Sequence, residues 1–529
     1  MTGRTTGGPP ESVGPWPGTA PAQAPAGFGP PPEPFEQQPR TRGRGRFPGR
    51  PGVIVPVLLT ILLVVAGGVY VTVGGGRGEP TDPVAQDGRE AAGPSGSPSI
   101  DQGDGKGPGV GPDTYDPNAG IKPGEARVWL RDNQTDLPGS GSLQYGPWRV
   151  GDVVVRAMAK EVAAYAVADG QEKWKVSLQT PLCGVPPAPS ATGKLVVGVR
   201  EGESGTSRCT HLQQIDLVTG KEGWKAPVPQ ENAYDTSLGF EMAISGDTVA
   251  IARSAVASAF SVTDGRKLFA SSKTKGCSPA AFAGGSRLIG IRNCFDGLDP
   301  GVPPVEVIEE LDPATGSPKW SHTYGKGWSV GRVLSVDPLV IPAYHKADKV
   351  WNITAFTADG KVRSQGNAAF GVSGRCNGFG NSTGLQECYA AVADTDTLYI
   401  GAGKAGSSLG IDVTNQVVAV DLNTGKEKWR TAEQPKGRSV WPLAVEGGRV
   451  VVYVSPGSGE AGAVVSLAPA DGASQPVLQS PAAAAGAQSV FYDHGVRIAW
   501  AGGRLFLLNG TVQGPEPRKA SRAILSFGK

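Results

Sequence analysis

The sequence predicts an all-β fold, a β-propeller of seven or eight four-stranded blades, with eight preferred, and three observations support it. A short unit ending in a Gly turn and an aromatic residue recurs along the chain. A second strand-like run precedes each copy. The copies recur at intervals of roughly 40 to 65 residues, which is typical of propeller blades rather than helical solenoids.

The recurring unit is a predicted hairpin with an aromatic residue four positions after its turn Gly. Residues 419–429, AVDLNTGKEKW, show it most clearly. Asp-Gly or Thr-Gly between alternating apolar runs is a hairpin signal, because Gly accepts the positive φ of a tight turn. The aromatic ring is expected to pack between neighbouring blades. The motif residues are Gly170, Gly220, Gly265, Gly316 and Gly425, with Trp174, Trp224, Phe269, Trp320 and Trp429.

Three copies also carry an aspartate before the turn, Asp216, Asp312 and Asp421. A carboxylate at this position can accept backbone N–H bonds and hold the hairpin. Its recurrence therefore indicates a structural task, once per blade, rather than a carboxylate cluster. Weaker copies at 355–362 and 466–473 keep only the Asp-Gly turn.

Eight strand-like runs precede the units and favour eight blades. They span residues 152–155, 194–199, 247–252, 287–291, 339–342, 397–401, 449–454 and 504–508. The final unit, which ends at Phe527, lacks the turn and the Trp. A strand from the N-terminal side, residues 126–130, is expected to complete that blade and remove the free edges.

These motifs resemble the PQQ-binding-like β-propeller repeat family, whose blades carry an A-x-D-x-x-T-G-x-x-x-W signature closely matched at 419–429. The resemblance covers residues 128–527 and implies a propeller fold. It leaves function open, since the family includes quinoprotein alcohol dehydrogenases and non-catalytic scaffolds such as the propeller subunit of the outer-membrane β-barrel assembly machine. The Gly-, Ala-, Pro- and Arg-rich composition, with one predicted membrane anchor, resembles exported actinobacterial proteins.

Composition divides the chain into four segments. Residues 1–52 are rich in Pro, Gly and Arg and residues 74–124 in Gly, Pro, Ser and Asp, so both are predicted to be disordered. Residues 53–73 have no charged side chain and match a hydrocarbon core of about 30 Å, which predicts a transmembrane helix. Residues 125–529 remain as the propeller domain.

The charges that flank the predicted helix indicate its orientation. Arg40, Arg42, Arg44, Arg46 and Arg50 lie on its N-terminal side. Positively charged residues beside a membrane helix usually lie on its cytoplasmic side. We therefore expect a single-pass signal anchor in the cell membrane, with a cytoplasmic tail and an extracytoplasmic propeller. The alternative is a cleaved signal peptide, which would also export the domain, but its apolar region is usually only about 7 to 15 residues long.

Six cysteines, an even number, all lie in the predicted extracytoplasmic region, which indicates disulfides. The repeat favours disulfides between cysteines that are neighbours in the sequence, each bridging one strand hairpin. The predicted pairs are Cys183 with Cys209, Cys277 with Cys294, and Cys376 with Cys388. A zinc site is not predicted, since no Cys-x-x-Cys occurs and the four histidines lack ligand spacing.

Three functional hypotheses remain: a quinoprotein dehydrogenase, a binding or scaffold module and, ranked below the module, a sensor whose Pro-rich tail binds a partner inside the cell. The resemblance implies PQQ with calcium for the first, but the adjacent Cys-Cys pair typical of those enzymes is missing. No catalytic residue, cofactor ligand or metal ligand is predicted. The match to G-x-S-x-G at 406–410 lies in a predicted Gly/Ser loop rather than a strand-turn-helix.

The second hypothesis is preferred, a non-catalytic module that binds a protein or ligand at the cell surface. Loops held on rigid scaffolds often carry function. The candidate recognition loops are residues 202–210, 295–304 and 371–387. The net charge of +2 and the alternating signs argue against a nucleic-acid surface.

Overall fold

The computed structural model of the chain describes residues 115–529 apart from residues 234, 236, 254, 272–275, 296–302, 373–383, 404–415, 436, 458, 492–494 and 515–520. These residues belong to one compact unit, Gly103–Lys529. Within the part of the chain so described, no helix has the length and apolar character to cross a bilayer. The predicted tail, the predicted helix at 53–73 and the linker as far as residue 114 lie outside it.

The described strands form eight sheets, which confirms the preferred blade count. Each sheet is antiparallel, and the four main strands of each blade are called a to d in hydrogen-bonded order from the centre of the ring outward. The first strand of the chain, β1 (Arg127–Asp132), belongs to the eighth blade. Blades one to four contain β2 (Ser142–Val150), β3 (Val153–Met158), β4 (Glu161–Ala166), β5 (Glu172–Ser177); β6 (Leu182–Gly184), β7 (Lys194–Arg200), β8 (Cys209–Asp216), β9 (Lys221–Pro227); β10 (Glu241–Ser245), β11 (Thr248–Arg253), β12 (Val256–Ser261), β13 (Lys267–Ser271); β14 (Cys277–Ala283), β15 (Leu288–Cys294), β16 (Val305–Leu311) and β17 (Pro318–Thr323).

In blades five and six, strand a is interrupted and forms two short pieces on the same neighbour. A 3₁₀ turn (Ala482–Ala484) and a short helix α1 (Ala485–Ser489) connect blades seven and eight. The remaining strands are β18 (Trp328–Val330), β19 (Ser335–Val336), β20 (Leu339–His345), β21 (Val350–Phe356), β22 (Val362–Asn367); β23 (Gly371–Val372), β24 (Ala391–Ala393), β25 (Thr397–Gly403), β26 (Gln416–Asp421), β27 (Glu427–Arg430); β28 (Val440–Glu446), β29 (Arg449–Val454), β30 (Ala463–Leu467), β31 (Ser474–Gln479); and, in blade eight, β32 (Arg497–Ala501), β33 (Arg504–Leu508) and β35 (Arg522–Gly528). The short β34 (Thr511–Val512) follows β33 in the chain but pairs with β2 in the sheet of blade one.

Burial follows the position of a strand within its blade. The middle strands β11 and β12, TVAIAR and VASAFS, are buried along their whole length because neighbouring blades cover both faces. The outermost strand β5, EKWKVS, exposes its Glu and Lys side chains. Charged edge strands discourage pairing with another chain, so the repeat sequence itself protects the rim.

The ring is closed by the two ends of the domain. β1 pairs antiparallel with β35, from Arg127 opposite Gly528 to Asp132 opposite Arg522. β1 is therefore strand d of the eighth blade, as expected for a strand near residues 126–130. It also carries Trp129, which supplies the aromatic residue that the last unit lacks.

Candidate functional site

The turn glycines and the aromatic residues of the repeat meet across blade boundaries. Each glycine lies under the aromatic ring of the preceding blade, where a Cβ on Gly220, for example, would come within 2.5 Å of the Trp174 ring. The other pairs are Gly170 with Trp129, Gly265 with Trp224, Gly316 with Phe269, Gly360 with Trp320, and Gly472 with Trp429. Gly425 differs, since a Cβ there would meet the backbone at Gln365 instead of a ring.

Several of these indoles also bond to the next blade. Trp224 Nε1 donates to Val262 O at 2.9 Å, and Trp429 Nε1 donates to Pro469 O at 2.8 Å. Trp129 does the same across the closing boundary, donating to Val167 O at 2.9 Å. At these three boundaries, ring packing and this bond together fix one blade against the next.

The three motif aspartates hold their own turns. Asp216 Oδ1 accepts the N–H groups of Val218 and Thr219 at 2.9 and 3.1 Å. Burial acts to raise the pKa of Asp216, but its bonds to Lys194 and to these N–H groups outweigh burial and lower that pKa. Asp312 and Asp421 accept the N–H groups at the same two turn positions.

Replacing Gly220 by alanine is expected to cost markedly more stability than replacing Gly448. Both have φ of +70°, so both variants incur the left-handed strain of about 1–2 kcal/mol. Only Gly220 has a ring above it, whereas a Cβ on Gly448 meets nothing within 4 Å. Forced overpacking adds about 1–3 kcal/mol to Gly220→Ala. Urea unfolding measures the difference, and equal losses would mean that the ring contact contributes nothing.

A segment of blade six, residues 384–390, lies across the centre of the ring. It belongs to the interruption between β23 and β24, both in the innermost strand position. Gln386 donates to Gly284 O and accepts from Gly284 N in blade four, at 2.8 and 2.7 Å. Leu385 packs in the core of blades four and five. We call residues 384–390 the channel segment.

Charged side chains from other blades converge on the channel segment. Arg497 of blade eight bonds Glu387 at 2.6 Å and the Tyr389 hydroxyl at 2.9 Å. Its guanidinium lies 5.3 Å from the ring centroid of Tyr145 in blade one. Arg332 of blade five is buried and donates to the Gly384 carbonyl. The segment is thus tied to several blades.

Glu241, on the inner strand of blade three, completes this charged cluster. Burial raises the pKa of Glu241 to about 7, Glu387 adds to that shift and Arg332 opposes it. One of its carboxylate oxygens, Oε2, is buried and has no hydrogen-bond partner among the described residues. The charged form of Glu241 is therefore disfavoured by its surroundings in the folded protein.

We expect the stability of the propeller to fall as pH rises from about 4.5 to 7. In this range the folded state binds more protons at Glu241 than the unfolded state, so stability decreases with pH, by up to roughly 3 kcal/mol. Glu241→Gln should remove this loss and be more stable than the parent at pH 8 but not at pH 4. Urea midpoints across pH test it, with the exposed Glu203→Gln as control; parallel curves for both variants would contradict it.

Comparison with known proteins gives the family of the repeats. Residues 119–278 match a family model described as outer membrane protein assembly factor BamB. This segment carries PQQ-like propeller repeats. The resemblance predicted from the sequence is therefore confirmed for residues 119–278. No curated protein matches the sequence.

Solved structures similar to this propeller include a BamB protein and an alcohol dehydrogenase. BamB from Moraxella catarrhalis has 15% identity and a TM-score of 0.42, over 76% of this chain and 97% of that chain. Quinohemoprotein alcohol dehydrogenase from Comamonas testosteroni has 13% identity and a TM-score of 0.43, over 77% of this chain and 76% of that chain. Neither likeness decides between a scaffold and an enzyme.

The longer connections of the propeller gather at one end. Because the strands alternate in direction, all b–c loops and all d–a connections emerge at the same end, which we call the loop face. The predicted recognition loops 202–210 and 295–304 are b–c loops of this face. The third predicted loop is residues 371–387, and its described end, 384–387, lies in the channel. The prediction of a surface loop is therefore wrong for these residues. The G-x-S-x-G match and residues 296–302 and 373–383 are outside the described part.

Disulfides are present at the loop face. Cys277 and Cys294 join the ends of β14 and β15, across one hairpin. Cys183 and Cys209 instead join β6 to β8, strands a and c, so the expectation of a single hairpin was wrong for this pair. The bridge passes over β7 at Gly198, where a Cβ would lie 3.2 Å from Cys209 Sγ. Cys388 is also disulfide-bonded, and its predicted partner Cys376 lies outside the described residues.

The bridge at Cys209 holds two connections together. Cys209 N donates to Ser237 O at 3.0 Å, and Arg200 Nη1 donates to the carbonyls of Ser207 and Leu238. The Leu238 side chain remains 52% exposed. The b–c loop of blade two and the connection to blade three thus form one fixed surface with an apolar residue on it.

The sequence analysis missed Glu241, Glu387, Arg332 and Arg497. Each belongs to the innermost strand position of its blade, but their blades are separated along the chain by tens of residues. A charged residue in an otherwise apolar inner strand was the available signal. Among the described residues no group of three or more His, Cys, Asp or Glu side chains is placed to hold a metal ion.

Proposed function

We propose that this PQQ-like propeller is a non-catalytic binding or scaffold module, anchored in the cell membrane by the predicted helix at 53–73, and that it binds a protein partner on the extracytoplasmic side. The channel segment carries the proposal. The channel segment crosses the centre of the ring, where Gln386, Leu385 and Glu387 contact other blades. A segment fixed across the centre favours a rigid body that presents its surface over one that holds a substrate inside.

The described channel residues are also a poor fit for PQQ with calcium, the alternative. PQQ is a planar anionic quinone and needs an open slot with available cations. Arg497 already pairs with Glu387, and Arg332 bonds to the Gly384 carbonyl. The disulfides support the extracytoplasmic location, because such bonds persist in oxidising compartments.

The loop face is the proposed partner surface. It presents Leu238 and Phe295, 52% and 44% exposed, each beside a disulfide-anchored connection. Aromatic side chains such as Phe295 are enriched at protein interfaces, and Leu238 adds apolar area on the same face. The opposite face, where the c–d turns lie, provides a comparison through Val218, which is 60% exposed.

Partner capture from membranes tests the proposal. The full-length chain is purified from its source membranes together with what it binds. Leu238→Asp is expected to remove the captured protein, while Val218→Asp on the opposite face keeps it. Loss with both or with neither variant would reject the loop face as the partner surface.

A calorimetric titration with PQQ and calcium tests the alternative. We expect no saturable heat on the folded full-length chain. Saturable binding accompanied by dye-linked alcohol oxidation would overturn the scaffold function and make the protein a quinoprotein dehydrogenase.

A further inference from the structure

A second site, which shares no residue with the channel segment and does not include Leu238 or Phe295, lies between blades four and five. A cavity of about 600 Å³ opens there, within the size range of ligand pockets. The cavity is formed by the end of β17, the start of β18, and the ends of β21 and β22 that lie on the loop face. Its lining residues are His322, Thr323, Tyr324, Gly325, Trp328, Asn352, Gln365, Gly366 and Asn367.

The lining carries no formal charge. None of its described side chains is Lys, Arg, Asp or Glu. Burial lowers the pKa of His322, so its imidazole is neutral at pH 7. A site without charged groups does not select an ionic ligand, because an ion moved out of water would find no partner there.

The polar groups of the cavity are amides and hydroxyls at its wall. Gln365 and Asn367 are exposed on β22 and offer both donors and acceptors. Asn352 is buried and is held by the Thr354 hydroxyl, which donates to its Oδ1 at 2.9 Å. This combination suits a ligand whose hydroxyl groups both donate and accept.

Tyr324 belongs to the wall of the cavity. It is only 4% exposed, and its hydroxyl oxygen is buried beneath the surface. Tyr324 therefore contributes to the shape of the cavity rather than a bond to a ligand.

Aromatic rings form the apolar part of the cavity. Trp328 is half-buried and is held by His345, with ring centroids 5.1 Å apart. His322 stands edge-on to Tyr324, with centroids 5.1 Å apart. Ring faces offer flat apolar area, which fits the C–H face of a sugar ring while the amides bond its hydroxyls.

We propose that this cavity binds a neutral saccharide. The pairing of aromatic rings with uncharged amides excludes acidic and basic sugars as preferred ligands. The proposal does not depend on the scaffold function, since its residues are distinct from the channel segment and from Leu238.

Binding is tested on the full-length chain in a detergent without a sugar head group. The probes are glucose, galactose, mannose and N-acetylglucosamine, with glucosamine and glucuronic acid as charged comparisons, followed by saturation-transfer NMR and calorimetry. At least one neutral probe is expected to bind saturably and more tightly than its charged counterpart. No saturable binding by any neutral probe would overturn the proposal.

Variants locate the site. Gln365→Ala is expected to weaken saccharide binding about fivefold, the loss of roughly one hydrogen bond, whereas Gln475→Ala, on the exposed outer strand of blade seven, leaves it unchanged. Asn367→Ala, a change at a second exposed amide of the lining, should weaken binding by a similar factor without lowering the unfolding temperature. If Gln365→Ala and Asn367→Ala both leave binding unchanged, the cavity is not the saccharide site.

Discussion

Replacing Trp129 by alanine is expected to lower the free energy of unfolding by about 3–5 kcal/mol, the usual cost of removing a buried Trp side chain. Trp129 is 8% exposed, covers Gly170 and bonds Val167 O. It joins the eighth blade to the first. Its loss therefore weakens the one boundary at which the chain's ends must meet.

Trp500→Ala is the matched control for this result. Trp500 belongs to the same blade but is only partly buried, and its Nε1 bonds the exposed Glu446 carboxylate. We expect a clearly smaller loss in urea unfolding. If the two variants unfold at the same urea concentration with equal slopes, the closing contact has no special role in stability.

Replacing Asp235 by alanine is expected to cost a similar amount, about 3–5 kcal/mol, because it leaves an unpaired buried cation. Asp235 and Arg253 are joined at 2.9 Å, and each side chain is 2% exposed. Arg253 also donates to Pro229 O at 2.9 Å. The pair fixes the connection between blades two and three onto the third blade.

The removal of both partners provides the sharper test. Asp235→Leu with Arg253→Met removes both charges and should lose much less than Asp235→Ala alone. Glu203→Ala breaks the exposed pair with Lys160 and is expected to change stability by less than about 1 kcal/mol. Additive losses in the double variant would show that the buried pair is not coupled.

The fold could be predicted because each blade repeats the same local signals. The Gly turn, the aromatic residue and the buried second strand lie within one unit of sequence, so Gly220 and Trp224 are close along the chain. The aromatic ring, however, packs on the glycine of the next blade. The repeat alone is enough to predict this contact. Trp129 was not recognised as a motif residue, because its hairpin partner lies at the other end of the domain.

The centre of the ring could not be predicted for the same reason. Arg332, Glu387 and Arg497 come from different blades, and no local pattern indicates that they converge. The channel segment also follows a stretch that reads as an irregular surface loop, rich in Gly and Asn. An insertion in an innermost strand and one in an outer loop look alike in sequence, although the first points into the ring and the second into solvent.

The pairing of β1 with β35 sets an order of events during synthesis. Arg127 leaves the ribosome about 400 residues before its partner Gly528, which at roughly 5–20 residues per second means a wait of roughly 20–80 s. During that time seven blades can form, but the ring stays open and the apolar strand around Trp129 has no partner. A chain that stops only ten residues early would lack β35, so a nonsense codon near the very end would be as damaging as one in the middle.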